Sequence, residues 1–193
     1  MSATRQSPHR LFEEVISSAV TSHVLRDKLS PGAAYSLRIL GQNQFGRGAA
    51  SSSVKFMTKE ESPDVPPIDI GVESRGATLV RVKWKPPPRE HWNGQLRGYH
   101  VGFRLITTDE DQAELDTLLA RGDRDQLERM YTIKSVAFAE SSPNGGGDDQ
   151  QEFILTGLGK SSTYSIIIQA YNTAGNGPFS QQIIASTTSN GKC

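Results

Sequence analysis

The chain holds one cysteine in 193 residues, Cys193 at the last position. No disulfide can form within it, and cysteine usage leaves the redox compartment open. A β-sandwich of about 100 residues buries enough apolar surface to do without one. Net charge is also lacking: 21 basic and 21 acidic residues cancel, so no overall field draws the chain toward nucleic acid or an acidic membrane. No window of about 18 apolar residues occurs, which excludes a membrane-spanning helix. The opening MSATRQSPHRLFEEV has no apolar run behind a basic cluster and does not read as a secretory signal. Sequons are missing too, since Asn172 is followed by Thr173 and Ala174.

Chemical constellations are equally scarce. His9, His23, His91 and His100 lack ligand spacing and cysteine companions, so no zinc site is expected. The acidic stretch DEDQAELDTLLA at 109–120 lacks the glycine and terminal glutamate of a calcium loop and reads as a solvated helical face. In GLGKSS at 157–162, a phosphate loop would need glycine five residues before Gly159, where Ile154 stands. A turn explains that string better, because Ser30-Pro31-Gly32 occupies the matching place earlier in the chain. No G-x-S-x-G and no Cys-His pair is present. The expectation is no cofactor, no metal and no catalysis.

What the chain does contain is an internal repeat. LSPGAAYSLRILGQNQFGRGAAS from Leu29 aligns without a gap on LGKSSTYSIIIQAYNTAGNGPFS from Leu158, an offset of 129. Leu29, Tyr35, Ser36, Ile39, Asn43, Gly46, Gly48, Ser51 and Thr58 each recur at that offset. The same structural unit is present twice.

Periodicity identifies the unit. Tyr164, Ile166, Ile168 and Ala170 alternate with Ser165, Ile167, Gln169 and Tyr171, which predicts a strand with one buried face. Tyr35, Leu37 and Ile39 form the matching face of the first copy. Val80, Val82 and Trp84 alternate with Arg81, Lys83 and Lys85, and Tyr99, Val101, Phe103 and Leu105 with His100, Gly102 and Arg104. Pro86, Pro87 and Pro88 must end the strand carrying Trp84, and Asn93-Gly94 signals a turn. Short alternating strands between Gly, Pro and Asn clusters predict an all-β, antiparallel sandwich.

The strings Trp84-x-Pro86-Pro87, Gly98-Tyr99-x-Val101-x-Phe103-Arg104, Leu158 with Tyr164, and Asn172-x-x-Gly175-x-Gly177-Pro178-x-Ser180 resemble the fibronectin type III signature. The resemblance implies a core tryptophan and a corner, made by the Leu and Tyr, where the chain crosses between sheets. It makes Trp84, Tyr99, Val101, Leu158, Tyr164, Ile166, Ile168, Leu29 and Tyr35 the expected structural core. Trp84 to Arg104, with YSIIIQAYNTAGNGPFS, resembles more narrowly the modules of the Down syndrome cell adhesion molecule (Dscam) family of the immunoglobulin superfamily. Sidekick, contactin and neogenin-type receptors carry similar strings.

Domain organisation departs from that pattern in two ways. Residues 1–58 read as the C-terminal half of a module whose Trp-bearing strand is missing, with FEEVISSAV resembling a mid-module strand. Leu25 stands four residues before Leu29, whereas Leu155 stands three before Leu158, so the strand entering the first corner is expected to bulge or shift register. Residues 59–67, KEESPDVPP, form a linker that its prolines should make semi-rigid. Residues 63–188 read as a complete module, followed by a tail at 189–193, and this module is longer than the roughly 100 residues usual for such a sandwich. The surplus falls at about 107–130. There Leu115, Leu118 and Leu119, then Leu127, Met130 and Tyr131, have helical spacing, and Thr108 before three acids reads as a helix cap. This helical insertion is expected to be peripheral. A second expansion, SSPNGGGDD at 141–149, is a flexible loop by composition.

Between the helical patterns stands Arg121-Gly122-Asp123, which in some extracellular modules docks an integrin and here serves equally as a helix stop. The resemblance implies a non-enzymatic segment of a cell-surface adhesion receptor, extracellular, with a part in neuronal wiring or axon guidance. Its partners would be other cell-surface or extracellular proteins, with homophilic contact through domains outside this segment and no nucleic acid. An accessory module of a secreted enzyme and an intracellular muscle-type scaffold are the alternatives. A haematopoietic cytokine receptor does not fit, because Pro178-Phe179-Ser180-Gln181 stands where WSxWS would be.

Overall fold

The computed structural model describes residues 12–25, 28–139 and 150–189, so the loop at 141–149 and all of the tail beyond Ser189 lie outside the described residues. Along the first copy, β1 (Ala34–Leu37) pairs with β4 (Val54–Met57), and β2 (Leu40–Asn43) pairs with β3 (Gly46–Ala50). Residues 12–24 carry no strand, so the mid-module strand expected there is not formed, while the expected bulge between Leu25 and Leu29 falls partly outside the described residues.

The second copy builds two sheets. β5 (Ile68–Ser74), β6 (Val80–Lys85) and β9 (Gln151–Leu155) form one, in the order β5-β6-β9. β7 (Gly98–Ile106), β8 (Thr132–Ala137), β10 (Thr163–Tyr171) and β11 (Ile183–Ser186) form the other, in the order β11-β10-β7-β8. Every pairing is antiparallel.

Alternation on β6 decides which side is core. Val80, Val82 and Trp84 are fully buried, while the intervening cations meet acids on neighbouring strands. Arg81 lies 2.6 Å from Glu152 and Lys83 lies 2.6 Å from Glu73. Trp84 meets Tyr99 edge to face, with ring centroids 5.2 Å apart, the arrangement that ring quadrupoles favour. Val101, Leu155, Leu158, Tyr164, Ile166 and Ile168 belong to this core, with Trp92, Leu96, Ala170 and Ala185.

The repeat persists at the level of single hydrogen bonds. Tyr164 Oη accepts from Gly159 N–H at 2.7 Å, and Tyr35 Oη accepts from Ser30 N–H at 2.7 Å. Ser180 Oγ accepts from Ile168 N–H at 3.0 Å, as Ser51 Oγ does from Ile39 N–H. Ladder register is conserved too, since Tyr164 faces Ala185 and Tyr35 faces Phe56. Local sequence has therefore folded the same corner twice.

Burial is not repeated. Leu29 and Tyr35 are only half-buried, and Ile39 and Val54 are 66% and 60% exposed. A strand's alternate residues become core only when a second sheet covers them, and among the described residues none covers this face.

The second copy shows the opposite departure. β10 was expected to have one buried face, yet Ser165, Ile167 and Gln169 are as buried as the inward residues. The cover is α1 (Asp109–Arg121) with α2 (Arg124–Met130). Thr108 caps α1 through a reciprocal bond with Asp111, which satisfies otherwise unpaired N–H groups. Leu115, Leu118, Leu127 and Tyr131 then pack with Ile167 in a second apolar cluster. The insertion is a third layer of the fold, not a peripheral excursion.

Candidate functional site

Two surfaces lie outside the sandwich core: the joint between the two copies and the helical layer. At the joint, the chain from Glu60 to Asp64 runs across the loops that follow β6 and β10. Glu61 N–H donates to Asn93 C=O at 2.9 Å, and Asp64 N–H donates to His91 C=O at 3.3 Å. Glu61 C=O accepts from Asn172 Nδ2 at 2.6 Å, and Ser62 C=O accepts from Asn93 Nδ2 at 3.1 Å. Asn172 is itself buried, and its Oδ1 accepts from Ala174 N–H and Gly175 N–H, which shapes the loop that presents the amide.

The Glu60 carboxylate bridges the two loops, accepting from the Thr173 hydroxyl and, at 3.0 Å, from Gln95 N–H. The Thr173 hydroxyl, seconded by the Gln95 amide, holds its carboxyl below the usual carboxylate range. From the other side, Gly32 N–H donates to Lys59 C=O at 2.9 Å. A Cβ added to Gly32 would stand 2.6 Å from Gly94 Cα, so the backbones approach more closely than a side chain allows.

A family model for the fibronectin type III domain matches residues 65–186, the span of the two-sheet sandwich. The chain belongs to the fibronectin type III family. Its curated homologues are Dscam and DSCAML1 cell adhesion molecules. It is 33% identical over 171 residues to "Cell adhesion molecule Dscam1" of Drosophila melanogaster, covering 89% of this chain and 7% of that protein. It is 31% identical over 159 residues to "Cell adhesion molecule DSCAML1" of Homo sapiens, covering 82% of this chain and 6% of that one. The chain thus spans well under a tenth of the length of these relatives. Among solved structures it is similar to the third fibronectin III domain of human KIAA0343 protein, at 22% identity and a TM-score of 0.48, covering 72% of this chain and 93% of that one. It is also similar to chicken CNTN1 FN1-FN3, at 18% identity and a TM-score of 0.46, covering 83% and 45% respectively.

On this fibronectin type III module, the Arg121-Gly122-Asp123 triplet is spent on a helix-to-helix turn. Arg121 ends α1, Gly122 adopts φ 65° as its C-cap, and the Asp123 carboxylate accepts from Gln126 N–H at 3.2 Å to cap α2. All three are exposed, but Asp123 already has a structural partner. Beside that turn a groove of about 570 Å3 separates the helices from residues 178–182, with Leu119, Ala120 and Phe179 among its apolar lining and Asp116 and Arg124 among its charged lining. Among the described residues, no group of three His, Cys, Asp or Glu side chains is placed to hold a metal ion. No described helix is long and apolar enough to cross a membrane.

Sequence reasoning did not find Glu60, Asn93, Asn172 and Thr173 as joint residues. The recurrence of Asn43 at Asn172 was a usable signal, because an asparagine kept at a loop start holds both an acceptor for its own turn and a free donor pair for a neighbour.

Proposed function

We propose that this chain is a non-enzymatic structural and recognition segment of a cell-surface adhesion receptor of the Dscam type. In this reading residues 1–58 are the C-terminal half of one module, residues 59–67 a linker, and residues 63–188 a complete module. The segment would lie outside the plasma membrane, space its neighbouring domains and offer protein contact surfaces. Contribution to neuronal wiring or axon guidance is the finer form of the same reading, and homophilic binding would belong to domains beyond this segment. The observation that carries the proposal is the recurrence of the Tyr corner and its register in two joined copies. Tandem modules joined by a short linker suit spacing and protein contact, and most of the chain aligns with proteins named as cell adhesion molecules.

The test is antibody staining of cells expressing the intact gene, with an antibody raised against residues 63–188. Surface staining without permeabilisation is expected. Recovery only in the medium would favour an accessory module of a secreted enzyme. Staining only after permeabilisation would favour an intracellular scaffold. Either result overturns the receptor reading.

A further inference from the structure

We infer that the loop end of the complete module is a docking surface for the unit that precedes it, so that the joint between them is fixed by a latch and does not swivel. This rests on the tandem-module reading above. Prolines alone stiffen a linker but leave its two ends free to pivot. Here the backbone of Glu61, Ser62 and Asp64 is hydrogen-bonded to the module it enters, through Asn93, Asn172 and His91. A freely moving linker would leave those groups to water.

The latch itself is Glu60. Its carboxylate engages one loop through Gln95 N–H and the other through Thr173 Oγ1, so both loops must be in place to hold it. The preceding unit is drawn in from the opposite side. Gly32 N–H donates to Lys59 C=O, and Gly32 seats against Gly94. Rotation at the joint would separate the glycine pair or pull Glu60 from its donors. A partner touching both units would therefore meet a surface of preset shape, with less ordering entropy to lose on binding.

The experiment is NMR on the full 15N-labelled chain, combining residual dipolar couplings with amide exchange. Couplings from β1 and β4 and from β6, β7 and β10 are expected to fit one alignment tensor, with the Glu61 and Gln95 amides protected. Glu60→Ala should speed Gln95 exchange at least tenfold and split the tensor in two, with the urea midpoint of the sandwich unchanged. Asn172→Asp keeps the Oδ1 acceptor and removes the donors to Glu61 C=O and, within the module, to Trp92 C=O, so it should release the Glu61 end while also lowering the urea midpoint. Ordered couplings that require two tensors in the unmodified chain would overturn the latch alone. Random-coil couplings across residues 34–57 would overturn the tandem reading and the latch with it.

Discussion

The hydroxyls of Tyr131 and Ser165 lie 2.7 Å apart between the helical layer and the outer face of β10. Ser165 Oγ donates to Gln182 Oε1 at 2.6 Å, and Gln182 Nε2 donates to Asp116 of α1. A chain of donors and acceptors, buried at Tyr131 and Ser165 and reaching the surface at Asp116, thus ties the insertion to β10 and to the residue that precedes β11. Burial, partly offset by the Ser165 bond, raises the Tyr131 phenol above its ordinary range.

Replacing residues 108–130 by a short Gly/Ser link should therefore destabilise the module markedly. Ile167, fully buried under Leu115 and Leu127, would become exposed, and the Ser165–Gln182 pair would lose its cover. Leu115→Ala alone should cost about 2–5 kcal/mol, the range for a buried leucine truncated in place. Urea melts of residues 63–188 measure both changes, and an unaltered midpoint would mean that the helices contribute no packing.

Trp84→Ala and Tyr164→Phe should separate burial from hydrogen bonding. Trp84 is fully buried between the sheets, and its truncation should cost roughly 3–5 kcal/mol. Tyr164→Phe keeps the ring and removes only the oxygen that accepts from Gly159 N–H, so about 1–2 kcal/mol is expected. The order of the two losses in denaturant melts is the sharper result. Equal and negligible losses would contradict the register of β6 against β9.

Acid should loosen the start of α1 at unusually low pH. Hydrogen bonds from Thr107, side chain first and backbone next, and then from Thr108, lower the Asp111 pKa to about 2. A carboxylate with a depressed folded pKa stabilises the fold above its unfolded value near 4, and that contribution is lost as pH falls through about 2. A side-chain carboxyl NMR titration should show Asp111 changing protonation near pH 2. A midpoint close to 4 would show that the cap is absent in solution.

The Arg121-Gly122-Asp123 turn should act as a helix joint. Asp123→Ala should fray α2, visible as faster exchange of the Gln126 amide, because the acceptor for that N–H is removed. Cells bearing RGD-dependent integrins should not attach to the immobilised chain in an RGD-dependent manner. Attachment that a soluble RGD peptide abolishes would show that the turn opens to release Asp123.

Residues 63–188 expressed alone should melt cooperatively, whereas residues 1–58 alone should not. The first copy leaves Ile39 and Val54 exposed and forms only two-stranded ladders, which are marginal in water without a covering layer. A cooperative calorimetric transition for 1–58 would refute this.

Much of the sandwich was legible before folding, because its signals are local. Alternation along Val80 to Trp84 selects a face, three prolines end the strand, and Leu158 with Tyr164 marks a corner whose bonds span only a few residues. The same local rules made Leu29 and Tyr35 look like core and Ser165 and Gln169 look like solvent-facing residues. The structure left the first pair half-buried and buried the second, because burial belongs to whatever lies across the face: helices cover one copy's outer side, and among the described residues no sheet covers the other copy's inner side. The helices themselves were visible as leucine spacing, but where they would lie was not, since an apolar stripe does not name its partner. Likewise KEESPDVPP shows its prolines in sequence. That Glu60 meets Gln95 and Thr173 was decided only when the loops after β6 and β10 were brought side by side, by strand pairing between residues far apart in the chain.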